Sequence, residues 1–218
     1  MKARDSIYNV GNDYPQYVIL RGSTLRPTPG PSPEPKPTDP LNPLNLPPFT
    51  IRCKFMSGTT PTMGDRQTLV DADENVWDIC KNSTDWSGLF IEAHLLEVLG
   101  ANTSGVTNMS EMFGGCQKLA VVQPFDTSSC TNMYNMFAYC RSLTLVILFN
   151  TSSCTNMDGM FYACYLVQSG ALALYQQAST QATPPSSHSN CFMACGLDSD
   201  TGMAELNQIP KSWGGTAE

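Results

Sequence analysis

The sequence predicts an α+β fold: a short solenoid of 24-residue repeats, closed by degenerate copies and preceded by an extended proline-rich linker. Three observations predict it. Thr103–Cys116, Thr127–Cys140 and Thr151–Cys164 share the pattern Thr-Asn-Met-x-x-Met-Phe-x-x-Cys and follow one another at a constant step of 24 residues. Ten of the 23 residues from Arg26 to Pro48 are proline. Between these two regions Ile51, Cys53 and Phe55 alternate with Arg52 and Lys54, the signature of a strand with one buried face.

Taken in order, residues 1–25 are too short for a core of their own but contain the apolar segment Tyr14, Tyr17, Val18, Ile19 and Leu20. This is expected to act as a docking peptide that adds a strand to a partner's sheet. Residues 26–48 form a stiff polyproline spacer that reaches about 70 Å at roughly 3.1 Å per residue. Residues 49–102 read as a β-rich N-terminal cap, with Gln67–Cys80 supplying a partner strand and turn. They also hold a degenerate first repeat in which Asp85–Phe90 replaces Asn-Met-x-x-Met-Phe and Leu96 matches Leu119. The full repeats occupy 103–167. Residues 168–218 read as a helix over Gly170–Ser179, with Ala171, Leu172, Leu174 and Tyr175 inward and Pro184-Pro185 as its stop. A last degenerate copy at Phe192–Cys195 and a C-terminal cap follow. Atypical end copies are expected because they must close the core.

A single repeat cannot bury its apolar side; stacking supplies the core. Met109, Met112, Phe113, Cys116, Leu119 and Val122 form one inward set. Met133, Met136, Phe137, Cys140, Leu143, Val146 and Leu148 are expected to form the next. The runs Leu119–Phe125 and Leu143–Phe149 suit short strands, and Thr107-Asn108 and its equivalents are expected to cap a one-turn helix. With alternation along the strand, Val121, Gln123, Leu145 and Ile147 face outward. This strip is either an open interface or is covered by the flanking helix or by Phe49–Cys80. Tyr134, Tyr139, Tyr162 and Tyr165 stand at variable repeat positions and offer an apolar face with a polar tip to a sugar or protein partner.

Charged residues make up only 14% of the chain and the net charge is −7, which disfavours nucleic acid, whose phosphates need clustered Lys and Arg. No apolar run is long enough to span a bilayer. The start Met1-Lys-Ala-Arg-Asp-Ser6 carries no apolar export signal, so nine cysteines are expected as buried thiols instead of a disulfide set. Their recurrence at repeat positions fits a core ladder; zinc would need paired C-x-x-C spacing. Cys53 and Cys80 are close enough in sequence to meet across a hairpin, without any requirement that they do. Asp71-Ala-Asp73-Glu-Asn75 fails as a calcium loop because Val76 and Asn82 replace the required Gly and Glu, leaving an acidic turn. His94 and His188 are the only histidines and neither sits in a nucleophile motif. No enzyme activity, metal or cofactor is expected.

The unit Thr-Ser-x-x-Thr-Asn-Met-x-x-Met-Phe-x-x-Cys-x-x-Leu resembles the BspA-like leucine-rich-repeat family, over Thr103–Val167 and, with degenerate copies, over about Asp85–Cys195. The resemblance implies a leucine-rich-repeat solenoid and a surface-recognition role. The layout, including Ile209-Pro-Lys-Ser-Trp-Gly-Gly at the end, is similar to proteins of gut bacteria and their bacteriophages. With no export signal and a tether, the expected protein is a virion component, a head or tail fibre or capsid decoration released by lysis. It would dock to other virion proteins through its N-terminal peptide and bind a host or mucosal glycan or protein, a homo-oligomer being compatible. A bacterial surface adhesin and an assembly adaptor without external ligand are the alternatives.

Overall fold

A computed structural model describes residue 42 and residues 44–218. The docking peptide expected in residues 1–25 and most of the spacer expected over 26–48 lie outside the described residues. The rest forms a five-stranded mixed sheet that runs into a column of stacked coils, an α+β arrangement. In chain order the elements are β1 (Thr50–Phe55), β2 (Arg66–Asp71), β3 (Val76–Cys80), β4 (Leu95–Asn102), β5 (Val121–Val122), α1 (Ala171–Thr180) and α2 (Asp200–Leu206), then a short 3-10 turn at Lys211–Trp213.

The sheet order is β2-β3-β1-β4-β5. All pairs are antiparallel except β4 with β5, where Glu97 faces Val121 and Val98 faces Val122. β1 forms as its alternation predicts, with Ile51, Cys53 and Phe55 buried. On its other face the Arg52 guanidinium grips the Asp78 carboxylate of β3 through two hydrogen bonds of 2.7 and 2.8 Å. Cys53 faces Trp77 and Cys80 faces Thr50 in this register, so the two thiols do not meet. The acidic segment is the β2–β3 turn, where Asp71 Oδ1 accepts the amides of Asp73 and Glu74.

From Asp85 onward the chain winds in coils. In place of the expected one-turn helix stands a ribbon of consecutive turns. Asn108, Asn132 and Asn156 each accept the amide two residues on, at 3.1, 3.1 and 2.9 Å. That side-chain bond mimics a backbone turn and competes with helix. Along the ribbon every second amide bonds within its own coil and the others donate to the next coil. Met109, Glu111, Phe113 and Gly115 donate to the carbonyls of Asn132, Tyr134, Met136 and Ala138, and the same four bonds recur between each later pair of coils. This alternation requires two left-handed residues per coil. One column is Gly88, Glu111, Asn135, Gly159 and Asn190; the other is Glu92, Gly115, Tyr139, Ala163 and Ala194.

The core is the inside of these coils. Phe90, Phe113, Phe137, Phe161 and Phe192 stack with ring centres 5.5, 5.1, 5.3 and 6.0 Å apart and nearly parallel planes. Phe55 closes one end of the stack and Trp213 the other. Each fully buried Phe or Met contributes about 1.5–3 kcal/mol. Met109, Met112, Cys116, Leu119, Val122 and their counterparts are buried as expected. The aliphatic runs depart from expectation. Only Val121–Val122 is a strand; in the next coil a single bridge joins Leu145 to Ser169. Without a continuous ladder the inward period there is three: Leu119, Val122 and Phe125, then Leu143, Val146 and Phe149. Leu148, expected inside, is therefore 59% exposed. The sheet register also corrects Leu96: Leu95 is the buried counterpart of Leu119, because the first coil is one residue shorter between its Phe and its Leu.

The helix α1 forms near its expected bounds with Ala171, Leu174 and Ala178 buried, and Leu172 and Tyr175 only half buried. Its first amides are bonded by the carboxylate of Glu205 on α2, at 3.2 and 3.0 Å. Beyond α1 the chain resumes the column at Ser187, which bridges to Asn156.

Candidate partner surface

The eight side chains singled out from sequence do not form one patch. On the side carrying the aliphatic runs, Val121 and Leu145 are 41% and 51% exposed at equivalent positions of neighbouring coils, and Gln123 is exposed beside them. Ile147 is half buried against the core. Leu148, turned out by the period-three geometry, and Leu166 are further exposed aliphatics, but the Val121–Leu145 row itself continues to Ser169. Neither α1 nor the Phe49–Cys80 region covers Val121 or Leu145.

The tyrosines lie on the ribbon side and its margin. Tyr134 and Tyr139 are exposed, and Tyr162 packs edge-on against Tyr139 at 5.3 Å. Tyr165 stands apart, with the Arg141 guanidinium 5.9 Å over its ring. Between Ile91 and Tyr139 a shallow groove of about 200 Å³ runs over Gly114 and Gly115, flanked by Glu92 and Glu111. Ile91 and Met193, both well exposed, belong to this side and were not anticipated. They occupy matching positions in the degenerate first and last coils, where the repeat pattern is hardest to follow. A second hollow of about 460 Å³ lies where Phe125, Phe149 and Leu148 meet Gln177 and Gln181 of α1 and its end.

The thiols are held inside. Cys116, Cys140 and Cys164 donate to the carbonyls of Phe90, Phe113 and Phe137 one coil back, at 2.9, 3.2 and 3.1 Å. Cys130 and Cys154 donate within their own coils to Asn132 and Asn156. Burial pushes Cys130 up to about 11 and Cys116, Cys154 and Cys164 up to about 12. Burial also raises Cys53, Cys140, Cys191 and Cys195 well above the ordinary thiol range. At neutral pH these are thiols, and thiols are poor nucleophiles and poor ligands. All nine cysteines are free, and among the described residues no group of three or more His, Cys, Asp or Glu is placed to hold a metal ion. His188 stacks on Trp213 at 4.1 Å with its Nδ1 near the Ser212 carbonyl. Among the described residues no helix is long and apolar enough to cross a membrane.

This arrangement presents side chains in fixed register on a hydrogen-bonded column. Variable repeat positions point out, and each position recurs one coil away. No curated protein and no solved structure matches the chain. Residues 84–182, which hold α1 and every coil before it but not the last coil from Ser187, match the family model described as a Mycoplasma protein of unknown function, DUF285, which is compatible with the BspA-like resemblance of the repeats.

Proposed function

We propose that the chain is a non-enzymatic recognition module, a leucine-rich-repeat solenoid of BspA-like type carried by a bacteriophage virion as a fibre or capsid decoration. Its aliphatic side binds a host or mucosal surface or a neighbouring virion protein, and the proline-rich residues 26–48 set it away from the particle. The observation that carries this is the uncovered aliphatic pair Val121 and Leu145 at one repeat position of neighbouring coils, with Leu148 exposed further along the same arc. Apolar side chains so exposed are costly to leave in water and mark interfaces when they cluster. A second placement, on a bacterial surface as an adhesin, is favoured by the family match, whose description is of a cellular organism's protein.

Immunogold labelling of purified particles and of the producing cells separates the two placements: gold on particles supports the virion and gold on cells alone supports the adhesin. Binding of the full chain to a glycan array and to immobilised mucin tests recognition itself. Retained binding by a Leu145→Asp, Leu148→Asp double variant that folds normally would exclude the aliphatic side as the contact.

A further inference from the structure

We propose that the chain self-associates through the outer edge of β2, two copies pairing their β2 strands antiparallel about a two-fold axis into one continuous sheet. β2 is the last strand on its side of the sheet, so its outward amides and carbonyls have no strand partner among the described residues. Five of its six residues are exposed. Two of them are adjacent aliphatics, Leu69 at 46% and Val70 at 44%. Edge strands are ordinarily protected by Pro, Lys or a bulge. β2 contains neither Pro nor Lys. It does carry a bulge at Val70, which has no partner on β3. That bulge twists the strand, yet it also leaves both aliphatic side chains in solvent.

Charge selects the occupant. β2 begins with Arg66 and ends with Asp71, and Arg66 makes no ion pair among the described residues. The same polarity continues past both ends. Lys81 follows Cys80, the residue opposite Arg66, while Asp73 and Glu74 stand in the turn after Asp71. The charges of opposite sense are Asp65, whose carboxylate accepts the Asn82 amide, and Lys54, already paired with Glu74. An edge that is basic at one end and acidic at the other is self-complementary only when the second strand runs antiparallel. The two-fold that produces this geometry is also the commonest oligomer symmetry. Each Arg66 then lies beside the Asp71 of the second copy, and Leu69 lies next to the axis. Strand addition of this kind draws its affinity from backbone bonds and its register from such side chains.

Sedimentation equilibrium of the full chain tests this. A concentration-dependent dimer that weakens as salt rises is expected. Arg66→Glu, an exposed change that breaks no internal pair, is expected to weaken the dimer about tenfold or more by opposing two like charges at each end. Leu69→Pro is expected to remove it by deleting an edge amide that faces away from β3, and if that variant misfolds the charge variant still decides. Thr68→Cys with a short bis-maleimide is expected to yield a cross-linked dimer that the unaltered chain does not. A monomer at all concentrations, a dimer indifferent to Arg66→Glu, or failure of the Thr68→Cys cross-link would each overturn the proposal.

Discussion

The Thr151 hydroxyl donates to Oε1 of Gln181 at 2.8 Å, and the Gln181 amide returns a bond to the Thr151 carbonyl at 3.0 Å. In the two preceding coils the equivalent hydroxyls of Thr103 and Thr127 donate to backbone carbonyls, those of Asp126 and Asn150. Where the column is interrupted by α1, a side-chain amide stands in for the missing peptide of the next coil. Thr151 is fully buried, so its polar groups depend on that substitute.

Gln181→Ala is therefore expected to destabilise the protein by about 1–3 kcal/mol, the cost of leaving a buried polar group without its partner. Gln181→Glu, which keeps the acceptor and loses the donor, should fall between. Urea denaturation measures both. A loss below about 0.5 kcal/mol for Gln181→Ala, ordinary for a surface site, would contradict this dependence of Thr151 on Gln181.

The left-handed columns make opposite forecasts for two neighbouring positions. Gly159 has φ +61°, and a Cβ there would strike Oδ1 of Asn135. Gly159→Ala should cost about 1–2 kcal/mol from the strained φ, with the Asn135 side chain turning aside to admit the methyl. Ala163 sits in the other column at φ 58°. Ala163→Gly relieves about 1–2 kcal/mol of strain and loses a comparable amount in chain entropy and packing, so its change should stay within about 1 kcal/mol. Chemical denaturation of the pair checks the contrast.

Much of this was legible in the sequence because the repeat names its own core: Met109, Phe113 and Cys116 recur at a fixed step, and recurrence at a fixed step means stacking. The aliphatic arc was less legible. The run after Cys140 suits an alternating strand, but a strand alternates only when a ladder holds it. With one bridge at Leu145 the arc takes a period of three, which turns Leu148 out and Phe149 in. The turn ribbon left a faint signal, Gly or Asn at 88, 135, 159 and 190, diluted by Glu111, Tyr139 and Ala163 at equally left-handed positions. The outward strip was half legible: Val121 and Leu145 follow from the repeat, whereas Ile91 and Met193 sit in coils whose pattern has decayed.

Alkali should unfold this protein steeply. The buried thiols are raised in the folded state above the ordinary value of 9.0. A group raised on folding contributes stability that is intact below its unfolded value and is lost as pH climbs from there toward the folded value. The window is thus from about pH 9 to pH 11–12, set by Cys130, Cys116, Cys154 and Cys164. Each thiol ionised only in the unfolded chain contributes about 1.4 kcal/mol per pH unit. Thermal melts in reductant across that range should show a falling midpoint, and Cys140→Ala should shallow the pH slope. A flat profile from pH 8 to 11 would show that the thiols titrate freely in the native state.

The aromatic stack should be most sensitive at its centre. Phe137 touches Phe113, Phe149 and Phe161, so Phe137→Ala should cost about 3–5 kcal/mol. Leu145→Asp, on the exposed row, should leave the melting temperature nearly unchanged. Equal losses at the two sites, read by calorimetry, would contradict the inside–outside assignment of the coils.

Residue-resolved hydrogen exchange on the full chain tests the stacked register most directly. The amides of Phe113, Phe137 and Phe161 donate to the carbonyls of Met136, Met160 and Cys191 in the following coils, at 2.9, 2.9 and 2.8 Å. They should exchange only with global unfolding, together and among the slowest in the protein. The amides of Leu145 and Ile147, in the arc that lacks a ladder, should exchange far sooner. Fast exchange at Phe113, Phe137 and Phe161, or protection at Leu145 and Ile147 equal to theirs, would contradict a column of coils joined along the turn ribbon.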